Sequence, residues 1–122
     1  MKFIFPVPPN LTNRRSGASH WAVRGREKKH YLGRCDSIQL VGMLPEPPAS
    51  PLERAIVSSV MYLGNSMDDD NALARHKWPL DWLKTRGFIA DDRRTCIKWK
   101  SLPDQIIKRD GNYRIEITLE AA

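Results

Sequence analysis

Cysteine is scarce: only Cys35 and Cys96 occur in the 122 residues, far apart and in no C-x-x-C pair. That excludes a disulfide framework and a zinc knuckle, and both thiols are expected to be small buried groups in a reducing cytoplasm. Long apolar runs are absent as well. Nothing approaches the roughly 20 residues a membrane span requires, and the opening MKFIF meets Pro6 before a secretory apolar region develops. Neither membrane insertion nor export is expected, which leaves a cytoplasmic location. Internal repeats and low-complexity tracts are missing too. With 41% apolar and 28% charged residues, the chain has material for one globular domain over residues 1–122 and lacks the composition of a disordered one.

Acid is the minority charge, and its distribution is uneven. Twenty Lys and Arg against fourteen Asp and Glu give +6. Residues 1–34 carry Lys2, Arg14, Arg15, Arg24, Arg26, Lys28, Lys29 and Arg34 against a single acid, Glu27. Such a stretch is either a solvated face or a surface for a polyanion. Residues 68–92, by contrast, hold six of the fourteen acids: Asp68, Asp69, Asp70, Asp81, Asp91 and Asp92.

Local patterns give an order β-α-β-α-β-β. Residues 2–7 are rich in Phe, Ile and Val and end at Pro6, Pro8 and Pro9, as a short strand leaving into the loop 10–17. From about Ser19, residues Trp21, Tyr31, Leu32, Cys35, Ile38 and Val41 recur near helical spacing, with Gly25 and Gly33 as weak points that leave one helix or two. Pro45, Pro47, Pro48 and Pro51 make a connection. Residues 55–63 (AIVSSVMYL) read as a central strand. Residues 71–86 read as helical up to the stop at Gly87, and Pro79 either kinks that helix or begins a new one. Residues 95–102 and 113–119 alternate with period two and are expected to pair antiparallel, with Asp110, Gly111 and Asn112 in the turn. The fold class expected is therefore α+β, a mixed sheet of about four strands packed with two or more helices. Of Trp21, Trp78, Trp82 and Trp99, at least two are expected in the core.

If the strand ending near Leu63 stays extended through Met67, Asp68 and Asp70 project to one side. Asp91 and Asp92 follow the next helix, and a return crossover brings them opposite that pair. Clustered carboxylates repel unless a cation sits among them, and hard oxygen donors with few Cys or His favour Mg²⁺ or Mn²⁺ over zinc. The structural alternative is that residues 68–70 cap the helix beginning at Asn71 and that Asp91-Asp92 is a solvated turn. A calcium loop is excluded, because counting from Asp68 puts Leu73 where glycine is needed and Pro79 where glutamate is needed. Lys77, seven residues after Asp70, returns to within about 20° of the same helix face. Its neighbour His76 is a metal ligand or general base in one reading and a packing residue in the preferred one.

The run from Met67 through Asp68-Asp69-Asp70-Asn71 to Lys77, then Leu80-Asp81-Trp82-Leu83, then Gly87 to Asp91-Asp92, resembles the signature of the RusA family of Holliday junction resolvases, in its phage-borne branch. Pro6-Val7-Pro8-Pro9-Asn10 followed by Arg14 is similar to that family's proline-rich strand exit. Together these motifs span roughly half the chain. The resemblance implies a homodimeric, Mg²⁺-dependent endodeoxyribonuclease that cuts four-way DNA junctions by paired incisions, with Mn²⁺ able to substitute. It implies Asp68, Asp70 and Asp92 as catalytic metal ligands, Asp91 as a weaker candidate ligand, and Lys77 as the essential lysine. Arg14, Arg15, Arg24, Lys28 and Lys29 are then candidates for phosphate contacts, which position DNA without reading its sequence. Two alternatives stand beside it: a non-catalytic DNA-binding regulator, and an inactive relative that only binds junctions.

Overall fold

The computed structural model describes residues 1–9, 20–40 and 45–122. Its elements are β1 (Lys2–Phe5), α1 (His20–Leu40), β2 (Ala55–Leu63), α2 (Asp69–Ala74), α3 (Lys77–Thr85), β3 (Ile97–Trp99), β4 (Asp104–Ile107) and β5 (Arg114–Ala121). The class is α+β with one mixed sheet, as expected, but the sheet has five strands rather than four.

β2 is its spine. Alternation along β2 buries Ala55, Val57, Ser59, Met61 and Leu63 and leaves the residues between them half-buried, as a strand with one covered face requires. On one side β2 pairs antiparallel with β5, from Ala55 opposite Ala121 to Tyr62 opposite Arg114, and β5 pairs antiparallel with β1. On its other side two short strands lie end to end, both parallel to β2. β3 takes the first part (Ala55 opposite Ile97) and β4 the second (Val60 opposite Asp104). Buried Pro103, which has no N–H to donate, stands where the two are interrupted.

The expected antiparallel pair of residues 95–102 and 113–119 is therefore not formed, because β3 and β5 flank β2 on opposite sides. Nine-residue β2 offers two free edges and a longer apolar row than β3, and burial of Ile115, Ile117 and Leu119 goes with pairing to it. The turn itself is real. Gly111 has φ +83° and the Asn112 amide donates to Asp110 Oδ1 at 3.1 Å, but it starts a crossing over the end of β2 rather than a hairpin. Gly64 makes room for that crossing: a Cβ there would stand 2.8 Å from the Tyr113 hydroxyl.

The core fills the space between the inner sheet face and the helices. Phe3 meets Phe88 edge-on at 4.8 Å, Phe5 meets Trp82 at 5.7 Å, and Tyr31 meets Trp78 at 5.7 Å. Trp78 and Trp82 are thus core residues, as expected. Truncating a buried tryptophan such as Trp82 costs ~3–5 kcal/mol. α1 is one helix, uninterrupted at Gly25 and Gly33, both of which face open space. The Tyr31 hydroxyl anchors it to the Pro6 carbonyl at 2.8 Å. The second helical segment does break, at Arg75-His76. Pro79 is then the third residue of α3, where its missing N–H costs nothing. Cys35 is buried as expected, and burial pushes its thiol up to about 12. Cys96, expected buried, is only half-buried because it precedes an edge strand. Among the described residues no helix is long and apolar enough to cross a membrane.

Candidate functional site

The acidic triplet does not continue the strand. β2 ends at Leu63, and Asp68 is the N-cap of α2, with extended backbone (φ −62°, ψ 153°) and no side-chain capping hydrogen bond. Asp69 and Asp70 lie in the first helical turn. Strand alternation therefore cannot be what relates Asp68 to Asp70, because the Ala72 amide already donates to the Asp68 carbonyl at 2.9 Å and the chain has turned helical. The segment is held from an unforeseen direction. Gln105 on β4 accepts from the Met67 amide at 2.9 Å and donates to the Met67 carbonyl at 2.8 Å, acting as a substitute strand partner that fixes the approach to Asp68. All three aspartates are exposed.

Asp92 and Lys77 do come together. The Lys77 ammonium donates to Asp92 Oδ2 at 2.8 Å and stands 3.3 Å from Asp81 Oδ1, four residues along α3. Lys28 of α1 holds the other Asp81 oxygen at 2.8 Å, and Asp81 and Asp92 are joined through the Lys77 ammonium. Asp91 accepts from the Asp92 amide and pairs with Arg93 at 2.7 Å and Lys84 at 3.3 Å. The break before α3 means that Lys77 does not share one helix with Asp70. It reaches Asp92 because Phe88 and Ile89, in the core, carry the chain back to the sheet edge.

The charges form two layers. Side chains of Asp81, Asp91 and Asp92 are 16%, 18% and 15% exposed, whereas those of Lys77 and Arg93 are 59% and 70% exposed. Carboxylates lie within and cations without. Burial alone would raise the Asp81 carboxyl, yet the hydrogen bond and charge of Lys28, then the charge of Lys77, hold it below the usual range. Asp91 is held well below that range, first by Arg93 and then by the Asp92 amide. The hydrogen bond to Asp92 raises the Lys77 ammonium above its ordinary value, so it is charged at neutral pH.

This network borders a groove of about 610 Å³ between α2, α3 and β3, lined by Leu73, Ala74, Lys77, Leu80, Asp92, Arg93, Ile97 and Trp99. Asp70 precedes Leu73 and Ala74 by three and four residues on α2, which places it one turn up the same helix face. Among the described residues, neither Asp68 nor Asp70 forms an ion pair with Lys77. Among the described residues, no group of three or more His, Cys, Asp or Glu stands together so as to hold a metal ion. The donors nonetheless suit a hard cation. Mg²⁺ commonly takes one or two carboxylates and completes its shell with water and phosphate; Asp81 and Asp92 are donors of that type, with both Asp81 oxygens engaged by Lys28 and Lys77 and Asp92 Oδ2 engaged by Lys77.

His76 is a packing residue. It is fully buried, its Nδ1–H donates to the Ala72 carbonyl at 2.7 Å, and its Nε2 accepts from the Ser59 hydroxyl at 2.6 Å. Burial pulls its pKa down to about 4, against a smaller opposing effect of the Ala72 carbonyl, so the ring is neutral at pH 7. Of the candidate DNA contacts, Arg14 and Arg15 lie outside the described residues, as does the Trp21 side chain. Lys29 is exposed on α1, Arg24 lies on the same helix, and Lys28 is committed to Asp81. Sequence reasoning missed Asp81 as a site residue, although its place four residues after Lys77 was a usable signal. Gln105, Lys84 and Arg93 offered none.

The sequence matches no protein-family model and no curated protein.

Proposed function

We propose that the chain is a Mg²⁺-dependent, structure-specific endodeoxyribonuclease of the RusA type, cutting four-way DNA junctions as a homodimer by paired phosphodiester hydrolysis. One observation carries this reading beyond the sequence motif: half-buried carboxylates sit beneath more exposed cations, with Lys77 bridging Asp92 and Asp81 beside a groove. A phosphate arriving from solvent meets the Lys77 ammonium and the Arg93 guanidinium before Asp81, Asp91 or Asp92. Lys77 is then placed to stabilise negative charge that grows on the phosphoryl oxygens.

Asp81 on α3 and Asp92, which follows it, would hold the cation, and Asp70 and Asp68 would approach it from α2. When bound, Mg²⁺ supplies an activated water and neutralises charge on the phosphate. The chain's own part is positional. Gln105 holds the approach to α2, the Lys28–Asp81 pair ties α1 to α3, and Lys29 is exposed next to Lys28 on α1. A homodimer provides the two-fold symmetry that paired incisions need.

The non-catalytic DNA-binding reading has an observation of its own, since Asp68 occupies an N-cap position and Asp69 and Asp70 suit the helix dipole without any metal. Incubating the purified protein with a synthetic four-way junction, with and without Mg²⁺ and beside a linear duplex, separates the two. Symmetric nicks that require the metal support the nuclease, and binding without cleavage supports the regulator or an inactive relative.

A further inference from the structure

The groove beside Lys77 has a floor that the cleavage chemistry does not use. Leu73 and Ala74 from α2, Leu80 from α3, and Ile97 and Trp99 from β3 make it apolar, and its charged groups are the exposed Lys77 and Arg93 with Asp92 beneath them. Trp99 is half-buried, packs against the core, and meets the ring of His76 beneath at 5.1 Å and 86°. His76 is itself fixed at both nitrogens by Ser59 and Ala72. The indole is therefore held in place, on an edge strand and open to the groove.

A ligand that fits must place an anion against Lys77 and Arg93 and a flat apolar body against Trp99. Duplex DNA offers the first without the second, because its bases are stacked inside. A nucleotide that has left the stack offers both, and leaving costs least at a branch point where stacking is already interrupted.

We propose that this groove receives an unstacked nucleobase from the branch point, with Trp99 as its stacking surface and the adjoining phosphate on Lys77 and Arg93. The inference rests on the nuclease reading and deepens it, making Trp99 a specificity-determining residue that favours branched over linear DNA. Losing base stacking on an aromatic side chain should weaken junction binding about tenfold.

The test is a cycle between protein and DNA, read by fluorescence anisotropy in chelator so that nothing is cut. Wild type, Trp99→Leu and Trp99→Phe are titrated with an intact junction, with the same junction bearing abasic nucleotides at the crossover, and with a linear duplex. Trp99→Leu should bind the intact junction about tenfold more weakly, Trp99→Phe should retain most of the affinity, and duplex binding should not change. The abasic junction should bind wild type about tenfold more weakly than the intact one, and wild type and Trp99→Leu equally. Independent losses from the protein and DNA changes, or equal losses on junction and duplex, would overturn the inference while leaving the nuclease reading intact. The abasic arm with wild-type protein stands even if Trp99→Leu folds poorly, and undiminished affinity there also overturns it. Failure of wild type to bind any junction would overturn both readings.

Discussion

His76 provides a quantitative test of the packing described here. Its ring is buried between Ser59 on β2 and the last turn of α2, and burial lowers its pKa from 6.5 to about 4. Between those values the unfolded chain binds a proton that the folded chain refuses, so stability rises with pH across the window and is fully present above about 6.5. At about 1.4 kcal/mol per pH unit, the contribution at pH 7 is about 3 kcal/mol. About 2 kcal/mol of it should be lost by pH 5 and the rest by pH 4. Urea denaturation at pH 7, 6, 5 and 4 measures this directly, with His76→Gln as the reference that cannot titrate. The variant should be less stable at pH 7 by ~1–3 kcal/mol, because Ser59 or the Ala72 carbonyl loses a well-placed partner. It should also be flatter between pH 7 and pH 5, so that the two chains converge as pH falls. Parallel loss in both would refute a neutral, buried His76 and reopen a functional role for it.

Two further outcomes concern the candidate site. Asp92→Asn removes one negative charge beneath Lys77 while keeping the shape, so junction affinity without metal should hold or rise whereas single-turnover cleavage falls by about 10²-fold or more. Asp91→Asn should do less, and binding and cleavage that fall together with the melting temperature would show that Asp92 only orders a turn. The homodimer should appear in light scattering at about twice the 14.0 kDa chain mass, with and without junction DNA; a monomer under both conditions would contradict paired incision.

Elements whose pattern is local were legible in the sequence. The alternation of residues 55–63 and 113–119 defines β2 and β5 almost to their ends, and burial of Trp78 and Trp82 follows from their place on a short amphipathic helix. Pairing was not legible, because a strand's partner is decided by which apolar edges are free once the chain has collapsed, and the edges of β2 attract both β3 and β5. β4 has four mostly exposed residues beside Pro103, too few to display a period. The triplet at residues 68–70 fits both a strand extension and a helix start, and the helix prevailed because the Asp68 carbonyl accepts from Ala72. The joining of Lys77 to Asp92 follows from tertiary packing, with Phe88 and Ile89 buried between them in sequence.

The measurement that bears most directly on the nuclease reading is cleavage of an end-labelled four-way junction by the purified chain, with Mg²⁺ or Mn²⁺, with excess chelator, and beside a linear duplex of the same sequence. Paired nicks at symmetric positions are predicted with either metal, none in chelator, and little cutting of the duplex. Cleavage that persists unchanged in chelator, or junction binding with no cleavage under any metal condition, would contradict it.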